Sequence, residues 1–163
     1  MTASTFQESE VLQFLKLNLV DGTKLMIPTH QLTEALNIEG TQVVSIPDVH
    51  PALLGVYNWR GEVLWLLDVG LYLGYDALYA KNSGLAHINV AIAHHQNQLI
   101  GLCVKDLDDI IRLNITQLQT QLPPDISPHL QSCYQGYWLD SDQHLNWVLD
   151  IQAVLESLTP TSA

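Results

Sequence analysis

The sequence predicts an all-β protein: two packed barrels of about five strands each, with short helices between strands and one helix near the C-terminus. Three observations carry this. Short apolar runs recur along the chain, punctuated by Gly, Pro, Asn and Asp. Apolar residues make up 47% of the composition, so a core is within reach. A polar connector, Gly74 to Gly84, divides the 163 residues almost in half. That division sets the barrels at 11–75 and 85–150, after a loose tail over 1–10, within one domain over 11–163. A barrel of roughly 60–70 residues is marginal alone, so the two should share an apolar boundary.

The elements follow in order. Leu15 to Leu19 alternates apolar and polar, the mark of a half-buried strand. Asp21-Gly22 turns the chain into a second strand, Lys24 to Ile27. Pro28-Thr29 opens a short helix, with Leu32, Ala35 and Leu36 on one face and Thr29 as cap. Gln42 to Ile46 reads as a strand. Pro47 to Pro51 breaks regular pairing, and Ala52 to Leu54 reads as one helical turn closed by Gly55. Val56–Trp59 and Glu62–Val69 form the tightest hairpin of the chain, around Arg60-Gly61. Its second strand lacks alternation and should be covered on both faces.

In the second half, strands are expected near Ile88–Ala93, Leu99–Val104, Leu107–Ile111, Tyr134–Leu139 and Leu145–Leu149. Turns fall at His95–Gln98 and Asp140–Asp142, and Gln117–Pro128 is loop. Asp150 caps a final helix over 150–158, with Ile151, Val154, Leu155 and Leu158 on one face and Pro160 beyond it. No internal sequence repeat is evident.

Composition narrows function. Seventeen acidic and six basic residues leave a net charge of −11. That excludes nucleic acid, which needs clustered Lys and Arg, and disfavours anionic membrane surfaces. No apolar stretch reaches the roughly 20 residues of a membrane span, and the polar N-terminus lacks signal-peptide character. Cys103 and Cys133 fit no zinc spacing, and a cytosolic chain with reduced thiols is the expectation.

Chemistry is sparse. His94 and His95 are adjacent, so a strand turns them to opposite faces; His30, His50, His87, His129 and His144 are scattered, and no metal or cofactor is expected. No nucleophile elbow or phosphate-cradling glycine loop occurs. Asp106, Asp108 and Asp109 read as a solvated turn rather than an acid/base pair. No enzyme is expected. Attention passes to Trp59, Trp65, Trp138 and Trp147, and to Arg60, one of two arginines. Trp and Arg concentrate at binding hot spots, although tryptophan in a β-protein is as often core.

The stretch from Ile46 to Val69 resembles the signature of the CheW family of bacterial chemosensory adaptors. Ile46-Pro47, Gly55-Val56, Asn58, Arg60-Gly61 and Leu66-Leu67-Asp68-Val69 carry the resemblance. Leu15–Ile27, Leu99–Leu107 and Trp147–Ile151 resemble other family segments, so the likeness spans nearly the whole chain. Trp59, Trp65 and Asp108 replace the family's usual Leu, Pro and Gly, which suggests a divergent member serving a pilus-motility or phototaxis system.

The resemblance implies SH3-like barrels and a non-enzymatic adaptor at cytoplasmic receptor arrays. It would join the cytoplasmic tip of methyl-accepting receptors to the regulatory domain of a CheA-type histidine kinase; a decoy that binds kinase without coupling receptors is the alternative, and a small metal enzyme a remote one. Partner contacts are expected at Arg60, Asn58, Trp59, Gly61, Val56, Leu53 and Leu32. Arg60 can serve that interface through its five-donor fork, or pair internally with Asp68 or Glu62.

Overall fold

A computed structural model describes residues 10–78 and 86–158. The tail over 1–9 and most of the connector expected between Gly74 and Gly84 lie outside them. Ten strands are described: β1 (Val11–Asn18), β2 (Lys24–Pro28), β3 (Leu32–Glu39), β4 (Leu53–Trp59), β5 (Glu62–Asp68), β6 (His87–His95), β7 (Gln98–Val104), β8 (Asp106–Asn114), β9 (Tyr134–Leu139) and β10 (Leu145–Leu149). Three α-helices join them: α1 (Val69–Leu73), α2 (Pro128–Cys133) and α3 (Ile151–Leu158).

Several local expectations change: the strand read over Gln42–Ile46 is a 3-10 turn, Gly40–Gln42, followed by an isolated bridge at Val44. The segment after Pro28 is a single 3-10 turn, Thr29–Gln31, and Leu32 to Glu39 is strand β3. Leu32 and Leu36 suit both periods, but the burial along β3 alternates strictly. The turn proposed for Ala52–Leu54 is instead the start of β4. Gly55 there has φ +146°, incompatible with a helix. Helix α2 begins at the last residue of the expected loop and runs on to Cys133: Ser127 caps it by accepting the Leu130 N–H, and Pro128 occupies its first turn.

Each sheet has five strands, in the orders β8-β1-β2-β10-β9 and β3-β6-β7-β5-β4. The barrels therefore do not divide at the midpoint. The second is continuous, β3 through β7, while the first joins β1-β2 to β8-β9-β10. The reason lies in pairing: β2 runs parallel to β10, with Met26 against Val148, and β7 runs parallel to β5, with Gly101 against Leu66.

Underneath lies a repeat. One unit is β1 to α1 and the other β6 to α3, each a hairpin, a strand, a capped 3-10 turn, a second hairpin and a helix. The 3-10 turns close with reciprocal capping boxes, Glu39 with Gln42 and Asn114 with Gln117. The isolated bridge Val44–Val56 matches Gln119–Tyr137. Asp68 N–H donates to Ala52 O as Asp150 N–H donates to Cys133 O, both at 2.8 Å. Each aspartate then caps the following helix, at the N–H of Leu71 and of Ala153. The units exchange their first hairpins: β1-β2 completes the barrel of β8-β10, and β6-β7 that of β3-β5.

The exchange locates the core. The largest cluster of buried side chains lies between the barrels, including Leu17, Leu25, Leu67, Leu102, Leu149 and Ile151. The second barrel has its own filling around Leu64, Leu66, Val90 and Ile92. Among the described residues, the first barrel's separate cluster of buried side chains is Phe14, Met26, Leu113 and Val148. The shared boundary expected from sequence is thus the principal core, and hydrophobic burial ties the barrels to one another.

Candidate functional site

The β4-β5 hairpin presents the residues singled out by sequence. Trp59 pairs with Glu62, leaving Arg60 and Gly61 as a two-residue loop. Their φ values are +53° and +82°. Positive φ at both central positions makes a type I′ turn, whose twist matches that of the flanking strands. Gly61 adopts this at no steric cost, and its N–H donates to Asn58 Oδ1 at 2.9 Å. Asn58 and Gly61 therefore build the turn.

Arg60 takes neither of the internal partners foreseen for it. Its Nη2 donates to Glu34 Oε1 at 2.8 Å, and its guanidinium carbon lies 5.0 Å from the centre of the Trp59 ring. Glu34 is on β3, and β3 and β4 are the two edges of their sheet. The ion pair thus spans the open seam of the second barrel. Further along the seam, Val44 and Val56 exchange backbone hydrogen bonds of 2.9 and 2.8 Å. Gly55 permits that crossing, since a Cβ there would lie 2.1 Å from Val44 O. Asp68, buried, accepts from Leu71 N–H and, at 2.8 Å, from Leu78 N–H. It is occupied in folding the chain after β5.

Arg60 nonetheless remains a surface group, with its side chain 71% exposed. Val63, on the same hairpin, is 72% exposed, and Val44 59%. A cavity of about 640 Å³ opens at the edge of the inter-barrel layer, lined by Leu53, Ile100, Leu155, Leu158 and, from the same hairpin, Trp65. Asp48 and His50 stand at its rim, and His50 Nδ1 accepts the Ala52 N–H at 3.0 Å. Leu53 lines this cavity. Val56 pairs with Trp65 beside it. Leu32 lies across the sheet, paired with Ala93 and half-buried against the inter-barrel core. Trp59 packs toward the second barrel's interior. The expected residues thus form a hairpin and a groove wall, with Leu32 apart.

Residues 13–159 match the family described as CheW-like domain. The chain belongs to the CheW-like family. A probable chemotaxis protein CheW from Rhizobium etli is 25% identical over 123 residues, covering 76% of each chain. The fold matches the crystal structure of the scaffolding protein TtCheW from Thermoanaerobacter tengcongensis, with a TM-score of 0.71 at 14% identity, over 87% of this chain and 90% of that one. Among the described residues, no helix is long and apolar enough to cross a membrane.

In this CheW-like chain the signature divides into two sets. Gly55, Asn58, Gly61 and Asp68 answer needs of the backbone. Arg60, Val63 and the groove-lining Leu53 and Trp65 are left for the surface. Sequence reasoning missed Glu34, which fell within the helix expected after Pro28 and so gave no sign of facing the hairpin, and missed the contribution of Leu155 and Leu158 to the groove.

At the repeat-equivalent hairpin, Asp140, Asp142 and His144 offer ligand atoms within 4.8 Å of one another. Asp140 Oδ1 is already engaged, accepting from the N–H groups of Asp142 and His144, each at 2.9 Å. The bond from the His144 N–H, aided by the Asn146 amide, holds the Asp140 carboxyl below its ordinary range. These contacts fold the turn.

Proposed function

We propose that this CheW-like domain is a non-enzymatic chemosensory adaptor that docks receptors and kinase through its surface. One face would meet the cytoplasmic tip of methyl-accepting receptors and another the regulatory domain of a CheA-type histidine kinase, in cytoplasmic arrays. The observation that carries this is the family match over nearly the whole chain, with the signature arginine displayed at a hairpin beside an apolar groove. A helical tip supplies what such a surface takes: apolar side chains for the groove and carboxylate or carbonyl acceptors for the guanidinium. Leu53, Trp65 and Val56 form the apolar side, with Asn58 and Gly61 aiming Arg60.

The test is reconstitution. The purified protein is titrated against a kinase regulatory domain and a receptor tip from the same organism, and kinase autophosphorylation is followed with all three together. Binding to both, with receptor-dependent change in kinase activity, is the expected result. Binding to kinase without receptor response identifies the decoy. Binding to neither removes the adaptor reading.

A further inference from the structure

The repeat makes the two barrels controls for each other. Each has a cavity at its mouth, lined by equivalent positions: Leu12, Gln13 and Thr29 in the first, Ile88, Asn89 and Val104 in the second. The volumes differ, about 540 Å³ against about 280 Å³. The difference has an identifiable source. In the second barrel, Leu78 lines the mouth and, with Leu54, packs against the barrel's core. Leu78 is held there by the Asp68 carboxylate, which accepts its N–H. The chain thus folds a leucine of its own into that opening.

Among the described residues the first barrel has no such filling. Gln135, exposed, stands where Leu54 stands in the second. The cavity reaches Phe14, Leu118 and Val148, and Val11 and Ile115 at its edge are 47% and 41% exposed. Among the described residues no carboxylate lines it, although the chain carries 17 acids. Its volume falls within the range of ordinary ligand pockets.

We propose that the mouth of the first barrel is an acceptor site for a branched aliphatic side chain, of leucine size, delivered by an extended segment of a partner protein. Leu78 in the second barrel shows the mode: a short backbone stretch crosses the rim while one side chain enters. Among the described residues, His30 is the one titratable side chain in the lining and no acid stands with it, so a basic residue would find no partner there and an apolar one is favoured.

The test uses a peptide copying Leu78 and its neighbours, acetyl-Tyr-Asp-Ala-Leu-amide, and a control with its leucine replaced by serine. Both are titrated into the full chain, and the methyl signals of Val11, Leu12 and Ile115 are followed by NMR. The leucine peptide should shift these signals, with binding roughly tenfold weaker for the serine peptide. Gln135→Leu, which recreates Leu54 at the mouth, should weaken the leucine peptide to the same degree while the thermal melt shows the fold intact. Three results would overturn the proposal: no shift at millimolar leucine peptide, equal binding of both peptides, or contacts in the free protein between these methyls and a residue from 1–9, which would make the occupant the chain's own tail.

Discussion

Reversing the Arg60–Glu34 pair separates docking from seam closure. The pair is exposed, 71% and 35% by side chain. Solvent screening limits such a contact to about 1 kcal/mol at most. The guanidinium over Trp59 adds about 0.5–1 kcal/mol at an exposed site. Arg60→Glu should therefore cost about 1–2 kcal/mol, since the φ of +53° burdens Arg and Glu alike. For a chain of this length that lowers Tm by roughly 3–6 °C. An arginine at a binding hot spot is worth more, about 2 kcal/mol or roughly 30-fold in affinity.

The assay pairs thermal melts with titration against the receptor tip and kinase domain, for Arg60→Glu alone and with Glu34→Arg. The double variant restores the ion pair in reverse and should recover part of the Tm, while binding stays weak because the fork now sits on β3. Recovery of both Tm and affinity would refute the docking role and leave Arg60 as a clasp between β3 and β4.

Further predictions follow from the same contacts. Gly55→Ala should destabilise by about 3 kcal/mol or more, because the new Cβ overlaps Val44 O and strains the φ; the midpoint of urea unfolding checks this. Asp108 is held below the ordinary carboxylate range, first by the Asp109 N–H and then by the Asn18 amide, Lys16 and Lys24. Its stabilisation is complete above the unfolded carboxylate's titration and is lost as pH falls through the lower, folded value. Asp108→Asn should therefore flatten the acid limb of stability against pH, and an unchanged limb would contradict the assignment. Burial raises the thiol pKa of both Cys103 and Cys133, and both are buried. Neither should react with a thiol reagent until the chain unfolds, so rapid native labelling of either would show an opening that the packing does not provide.

Hairpins were the most legible part of the fold. Asp21-Gly22, Arg60-Gly61 and Asp140 to Asp142 announce turns by residue chemistry, and the strands beside them formed where alternation or apolar runs placed them. Strand β3 was not legible, because Glu34 occupies an inward-leaning position and hides the alternation; only its partner Arg60, distant in sequence, explains it. The repeat left one signal, the recurrence of Trp65-Leu66-Leu67-Asp68-Val69 as Trp147-Val148-Leu149-Asp150-Ile151. Each copy is a strand running into a capped helix. Exchange of the hairpins had no local signature, since β1-β2 and β6-β7 are equally good hairpins by turn and pattern. At the site, the turn was readable from Asn58, Arg60 and Gly61, whereas the groove required α3 to be placed.

The exchanged hairpins also pose a problem of order during synthesis. Leaving the ribosome, β1-β2 emerges first, ahead of β3-β4-β5, whose missing neighbours are the later β6-β7. An equivalent hairpin is thus available before the correct one. Lys16 and Lys24 of β1-β2 occupy the positions of Ile92 and Leu99 in β6-β7. Docked prematurely on β3-β4-β5, they would press two ammonium groups toward Leu64 and Leu66, and Lys16, at the place of Ile92, would compete with Arg60 for Glu34. Two apolar positions of the later hairpin would thus be filled by lysine. The expected order is that the early hairpin docks once β8, β9 and β10 are made, while the second barrel assembles from strands already adjacent in the chain.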